Sequence, residues 1–249
     1  MNNKLNILMN IQKAKELYVI MSKCTRLPFV NCNEDTMDDE VFVFLDEEAG
    51  KNYVTFLAEK DELVDLITIQ QKQALGFFSS LYTLGVNCVH MDKSGKHEMA
   101  LQLAEIVRRP EKDQLPEGKE RIENPEFHLT AMYYMQKIRK NPKMQMNEEL
   151  KELQEEMMIH FWEGDVLLVV QEEGKQIPLL RKGEGKPYQP IFSDVPEFQK
   201  FCSVNPKVKF RMLKVEAKKV PMILAKEAAG VVVNPFGVNL QLDIARKKE

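Results

Sequence analysis

The chain has 249 residues, of which 44% are hydrophobic and 29% are charged, a composition that excludes a disordered, collagen-like or disulfide-stapled protein. Lys and Arg number 35 against 38 Asp and Glu, so the net charge of -3 provides no general attraction to nucleic acid or to an anionic membrane. The totals indicate a folded globular protein and name no function.

The first residues show no export-signal pattern, because Asn6 and Asn10 interrupt the apolar patch and no small-residue cleavage site follows. The longest uncharged stretch, 73–91, contains too many polar residues and glycines for a lipid-facing helix. The four cysteines lack CxxC or metal-ligand spacing. We therefore expect a cytoplasmic protein with free thiols and no membrane partner.

Short runs of β-branched and aromatic residues, bounded by turn residues, predict the elements of the first half. Residues 17–21 and 41–45 are predicted strands. The run 50–57 is predicted to match a strand of the second half, and a helix is expected to start near Asp61. A further strand at 88–91 leads into a turn.

Residues 108–124 are rich in charge, Pro and Gly and poor in large apolar side chains, which is typical of a linker. Pro125 then opens a helix that continues to Lys140 and stops at Asn141-Pro142. This helix has no counterpart in the first half, so we expect it to bridge two modules. The predicted divisions are 1–107 for the first module, 108–146 for the linker and bridging helix, and 147–249 for the second module.

The second half ends in a predicted hairpin whose turn has Asn234, Pro235 and Gly237 at the first, second and fourth positions of a type I turn. Ser193 and Asp194 are candidate helix N-caps. The full set of predicted elements is a helix at 147–160, strands at 165–170, 176–181 and 189–192, a helix after Ser193 or Asp194, a strand at 207–213, a short helix entered at Pro221, and the hairpin at 230–242.

The two halves carry an internal repeat. Residues 50–57 can be laid without a gap on 185–192, with Gly, Lys, Tyr and the apolar positions coinciding. Further on, Cys88 to Gly95 falls on Val231 to Gly237 with the two glycines aligned. The repeat predicts a tandem duplication of one module.

The segment PLLRKGEGKPYQPIFSD at 178–194, together with GVVVNPFG at 230–237, resembles the N-terminal domain of the SseB family. The resemblance covers roughly 163–242 and extends more weakly over 17–101. It implies an α+β fold of two tandem mixed α/β modules, each a small sheet with helices packed on it and a final β-hairpin. No catalytic residues come with the resemblance.

The sequence offers few groups for catalysis, and we expect no cofactor and no metal. The histidines are scattered, which favours structural roles over a metal site. An enzyme or enzyme accessory of amino-acid or sulfur metabolism, using the thiol of Cys88 or Cys202, is the alternative, since Cys88 lies two residues before His90 on a predicted strand. The acidic segment 34–48 lacks EF-hand spacing, so a solvated loop is favoured over a cation site.

Lys207, Lys209 and Arg211 alternate with apolar residues along one predicted strand. No aromatic residues interleave on the basic face to stack bases, so a nucleic-acid partner is not expected. Lysines on an edge strand that oppose aggregation are the favoured interpretation.

We expect a non-catalytic module that binds another protein. Phe236 stands at a turn tip where the first half has Ser94, and with Tyr188 and Lys186 it is predicted to form an apolar anchor with a charged rim. The alternative is that Phe236 folds back over the end of the sheet. Two predicted hairpin tips carry opposite charge: Asp46, Glu47 and Glu48 on one, and Arg181, Lys182 and Lys186 on the other. We expect these tips to meet, either within the chain or between the two chains of a homodimer.

Overall fold

The computed structural model describes residues 2–95, 98–110, 115, 120–181 and 183–247. The chain forms two compact units: the first comprises 1–117 with 135–145, and the second comprises 118–134 with 146–249. Each unit contains one mixed sheet with helices, which confirms the predicted α+β class. In the described part of the chain, no helix is long and apolar enough to cross a membrane.

The first unit is built on a six-stranded sheet. Its elements are α1 (Asn2–Lys13), β1 (Glu16–Ser22), β2 (Val30–Asn33), β3 (Asp38–Phe44), α2 (Glu47–Glu59), β4 (Val64–Gln70), α3 (Gln71–Leu81), β5 (Cys88–Met91), β6 (Met99–Gln102) and α4 (Leu103–Ile106). The strand order is β4-β1-β3-β5-β6, with β2 paired to β3. The β3–β5 pair is parallel, and the other pairs are antiparallel.

The second unit is built on a five-stranded sheet. After the shared helix α5 (Pro125–Lys140), its elements are α6 (Glu148–Glu163), β7 (Asp165–Gln171), β8 (Gln189–Phe192), α7 (Val195–Val204), β9 (Phe210–Glu216), α8 (Val220–Ile223), β10 (Gly230–Val233) and β11 (Leu240–Asp243). The strand order is β9-β7-β8-β10-β11. Only β8 and β10 are parallel.

Apart from β2, the two sheets have the same topology. Strands β1, β3, β4, β5 and β6 occupy the places of β7, β8, β9, β10 and β11, with the same parallel and antiparallel senses. In each unit an aromatic cluster fills the face of the sheet under the helix that follows the β3 or β8 strand. Phe44 and Phe192, the last residues of those two strands, are both fully buried.

The predicted match between 50–57 and 185–192 is wrong. Residues 50–57 lie within helix α2, and the predicted helix start at 61–66 runs instead into strand β4. Asp46 is the N-cap of α2, because its side chain accepts a hydrogen bond from Ala49 N–H. Gly50, Tyr53 and Leu57 are buried on one helical face, so α2 is the counterpart of α7.

This helix also removes the basis for the predicted pairing of charged tips. Glu47 and Glu48 form the first turn of α2, where negative charge is favoured by the helix dipole, and both contact Lys51. They are not at a hairpin tip. Lys182 lies outside the described residues.

The strand predicted at 176–181 does not form. Only an isolated bridge between Leu180 and Tyr188 is present there. Pro178 has no N–H to donate to a ladder, so continuous strand pairing is interrupted within this segment.

Helix α5 forms over the residues predicted for the bridging helix, and its residues are divided between the two units. Its residues up to Tyr134 belong to the second unit, where Phe127 is fully buried with its ring 5.3 Å from that of Phe161. Its last residues belong to the first unit, where the Gln136 side chain bonds both the N–H and the C=O of Val30. Of the predicted linker at 108–124, residues 111–114 and 116–119 lie outside the described residues.

Candidate functional site

The predicted turn at the end of β10 is present and closely constrained. Gly237 N–H donates to the Asn234 carbonyl at 2.9 Å, the bond expected between the first and fourth residues of a β-turn. Asn239 N–H donates to the same carbonyl. Asn234 has φ of 49°, a left-handed conformation that asparagine tolerates better than most residues.

The side chain of Asn234 ties this turn to the end of β8. Its Oδ1 accepts from Ser193 N–H at 3.0 Å, and its Nδ2 donates to Ser193 Oγ at 2.7 Å. Asn234 N–H also donates to the Ile191 carbonyl. All of these groups are buried, so one asparagine fixes the turn to the adjacent parallel strand.

Ser193 continues the network inward. Its hydroxyl donates to Asp194 Oδ2 at 2.7 Å, and His128 Nδ1 lies 3.2 Å from Asp194 Oδ2 and 3.3 Å from Ser193 Oγ. Asp194 Oδ1 caps α7 by accepting from Glu197 N–H. Burial raises the pKa of Asp194, but the contact with His128 and the other hydrogen bonds outweigh burial and leave that pKa below its ordinary value.

Ser193, His128 and Asp194 are the residue types of a hydrolytic triad, but their arrangement is different. A triad uses Nδ1 of the histidine for the aspartate and Nε2 for the serine. Here Nδ1 faces both partners, and the buried Nε2 has no hydrogen-bond partner among the described residues. The serine proton is directed at Asp194, so the cluster acts as a structural tie and not as an activated nucleophile.

The next residues of the turn rest against helix α7. Glu197 is buried there, its Oε1 contacts Lys200, and a Cβ added at Gly237 would come within 2.5 Å of Glu197 Oε2. Only glycine therefore fits position 237 without displacing a buried carboxylate. The turn is held from two sides, by the Ser193 network and by α7.

Phe236 projects from this constrained turn. Its side chain is 43% exposed, and its ring lies 6.0 Å from the ring of the buried Phe201. Phe201 also contacts Phe192 and Phe210, so it connects Phe236 to the core of the unit. Both alternatives from the sequence are therefore partly present: the ring covers Phe201 on one side and meets solvent on the other.

The structure does not bring Phe236 together with Tyr188 and Lys186. Tyr188 precedes β8 and Phe236 follows β10, and since these strands are parallel the two residues lie at opposite ends of the sheet. The Tyr188 hydroxyl donates to Asp243 Oδ1 at 2.6 Å, and this hydrogen bond raises the pKa of Tyr188. Lys186 is exposed in the loop before Tyr188. The predicted single surface is wrong.

The first unit has a turn at the equivalent place without the aromatic residue, but the backbone differs, because Ser94 has φ of 64° and Phe236 does not have positive φ. Asp92 has φ of 46°, its Oδ1 accepts from Leu45 N–H at 2.9 Å, and its carbonyl accepts from Gly95 N–H. Asp92 thus repeats the side-chain acceptor bond and the carbonyl bond of Asn234, but not the Nδ2 bond to Ser193 Oγ. The shared bonds support the alignment of 88–95 with 231–237. Ser94 occupies the place of Phe236, and its N–H donates to Glu98.

The alternative thiol site is not assembled. Cys88 is fully buried, and burial raises the pKa of its thiol to about 12. The ring nitrogens of His90 lie 3.3 Å from Glu40 Oε1 and 2.9 Å from Glu98 Oε1, so carboxylates occupy the positions from which the histidine would activate a thiol. Burial also raises the pKa of Cys202.

No group of three or more His, Cys, Asp or Glu side chains within the described ranges is placed to hold a metal ion. The acidic segment at 34–48 is divided among different structures. Glu40 is buried in β3 beside His90, Asp46 caps α2, and Glu34 and Asp35 are part of the turn between β2 and β3.

No sequence pattern indicates the role of His128. It lies 65 residues before Ser193 in the chain, so no spacing pattern connects the two. The only local signals were the Asn-Pro turn and the two candidate N-caps, of which Asp194 caps α7 and Ser193 bonds the turn.

No family model and no curated protein matches this chain. Two solved structures match it: Tic22 from Plasmodium falciparum, with 11% identity, 90% of each chain covered and a TM-score of 0.24, and Anabaena Tic22, described as protein transport, with 10% identity, 90% of this chain and 92% of that chain covered and a TM-score of 0.21. At these TM-scores neither likeness carries an argument about fold or function.

Proposed function

We propose that this chain is a non-catalytic protein-interaction protein and that Phe236 of the second unit is an anchor for its partner. The observation that carries the proposal is that Phe236 is 43% exposed on a turn that buried hydrogen bonds between Asn234 and Ser193 hold in place. A fixed aromatic loses little conformational freedom when it binds, which is the property of an interface hot spot.

The first unit supports this interpretation because it provides an internal comparison. The equivalent turn, in which Asp92 repeats the side-chain acceptor and carbonyl bonds of Asn234, carries Ser94 at the corresponding position in a left-handed conformation that Phe236 does not adopt. An equivalent turn therefore forms without an aromatic residue, and the part of Phe236 that does not cover Phe201 needs another explanation. Contact with a partner protein provides one.

The substitution Phe236→Ser, which copies the first unit, tests the proposal. The matched control is Leu75→Ser on α3, which removes another exposed apolar side chain in the first unit. We expect the wild type and Leu75→Ser to recover the same partner in a quantitative pull-down, and Phe236→Ser to lose it while keeping its folded circular dichroism spectrum. Equal recovery by all three proteins would refute the role of Phe236.

A relationship to the SseB family, a tandem duplication and a cytoplasmic location belong to the same proposal. The shared strand order of the two sheets and the equivalent bonds of Asp92 and Asn234 support the duplication. A homodimer is one outcome of the pull-down experiment, recognised when a tagged chain recovers an untagged copy.

A further inference from the structure

Strand β9 lies at the end of its sheet. It pairs along its whole length with β7, and within the described residues no strand pairs with its other side. Four consecutive residues, 211–214, are exposed, with Met212 at 41% and Leu213 at 39%. An exposed edge of this length is a template on which another strand can pair.

Two hydrogen bonds show which backbone groups of β9 face outward. Glu172 N–H donates to the Lys209 carbonyl and Ala217 N–H donates to the Gly164 carbonyl, both at 3.0 Å. Because antiparallel bonding alternates along a strand, the odd-numbered residues from 209 to 217 bond inward to β7. The N–H and C=O groups of Phe210, Met212, Lys214 and Glu216 therefore point away from the sheet.

The charge of this edge selects its partner. Lys207, Lys209 and Arg211 are exposed at its beginning, and Lys214 lies further along, in contact with Glu120 and Asp165. The segment 207–216 contains four basic residues and one acidic residue, Glu216, so a second copy of it would add positive charge to an edge that is already positive. An extended segment rich in Asp or Glu would instead find complementary charge.

We propose that the free edge of β9 binds an extended acidic segment of a partner protein as an added β-strand. The inference deepens the proposed function, on which it rests, by naming the chemistry of the partner and a surface distinct from Phe236. Main-chain bonds at Met212 and Lys214 hold the segment, and the basic side chains set its charge preference.

The corresponding edge strand of the first unit lacks this charge pattern. Strand β4 also ends its sheet, but its single charged residue is Asp65, which contacts Lys23. The acidic segment is therefore directed to β9 and not to both edges.

The test is binding of a fluorescent peptide of about eight residues, alternating Glu with Val or Thr, to the full chain, measured by anisotropy. Met212→Pro removes one outward N–H without removing an inward bond, which an edge strand tolerates. Met212→Thr is the matched control, since it changes the side chain and keeps the N–H. We expect Met212→Pro to weaken binding about tenfold or more and Met212→Thr to stay within about threefold of the wild type.

A second variant keeps the test decisive if Met212→Pro does not fold. Arg211→Glu reverses a charge and leaves every backbone group in place, so it should weaken the acidic peptide about tenfold and favour a Lys-substituted peptide instead. Wild-type affinity in Met212→Pro, or in Arg211→Glu, would overturn the inference. Equal losses in Met212→Pro and Met212→Thr would overturn the backbone pairing. Phe236→Ser should bind the peptide normally, so failure at this edge is distinct from failure of the Phe236 anchor.

Discussion

Replacing Asn234 with alanine should destabilise the second unit more than any loop substitution without buried bonds. The change removes the acceptor of Ser193 N–H and the donor to Ser193 Oγ, and both groups are buried. It also places alanine at φ of 49°, where asparagine is better tolerated. Asn234→Gly removes the same hydrogen bonds, but glycine adopts positive φ without steric cost. The difference between the two variants therefore measures the backbone contribution alone.

The expected loss follows from these contributions. An unsatisfied buried Ser193 N–H costs about 1–3 kcal/mol, and the lost bond to its hydroxyl costs about 1 kcal/mol. The left-handed backbone adds about 1–2 kcal/mol for alanine. We expect a decrease of about 3–6 kcal/mol in the free energy of unfolding, which for a unit of this size lowers Tm by roughly 10–20 °C.

The single tryptophan makes the measurement specific to this unit. Trp162 lies in α6, with its ring 4.8 Å from that of Phe161, so its fluorescence reports unfolding of the second unit. Urea titrations of the wild type, Asn234→Ala and Asn234→Gly would be compared at neutral pH. A loss below about 1 kcal/mol for Asn234→Ala would show that the tie to Ser193 does not hold the turn.

Two further predictions concern titratable groups. The pKa of Asp194 is lowered in the folded state, so its contribution to stability is present above its unfolded pKa of about 4 and is lost as the pH falls through the folded value. Trp162 fluorescence should show wild-type stability falling between about pH 5 and pH 2, with a shallower dependence in Asp194→Asn, and parallel curves would contradict this. At pH about 8 a thiol-reactive reagent should modify the exposed Cys32 before Cys88, whose thiol is buried with a pKa of about 12, and mass mapping that finds Cys88 modified first in the folded protein would refute that assignment.

The sequence predicts the elements whose signals are local. The β-branched runs at β1, β3 and β7 formed strands, and the Asn-Pro turn formed with its expected bond. The prediction of a strand within α2 was wrong because four consecutive residues there are typical of strands: Tyr53, Val54, Thr55 and Phe56. The N-cap at Asp46 and the helical spacing of the buried side chains decided the outcome, since tertiary packing overrides intrinsic preference.

Of the candidate site, only the exposed residue Phe236 was predictable from the sequence. Comparing the two turns identifies Phe236, because the first half has serine at that place. The network beneath depends on His128 from α5 meeting residues far along the chain, and such contacts are set by the fold and leave no pattern in the sequence. Phe236 was incorrectly grouped with Tyr188 for a similar reason. The sequence does not show that β8 and β10 are parallel, and this direction places the residue before β8 and the residue after β10 at opposite ends of the sheet.

The division of α5 has a consequence for the order in which the protein can be completed during synthesis. The first unit uses Gln136 to bond both backbone groups of Val30, so it lacks part of its structure until the chain has been made past residue 136. By then the ribosome has already produced 118–134, which belong to the second unit. A fragment that ends at 117 would omit the Gln136 amide, and one that begins at 146 would omit Phe127 and His128, so a single cut of the gene gives neither unit complete and free of residues that belong to the other.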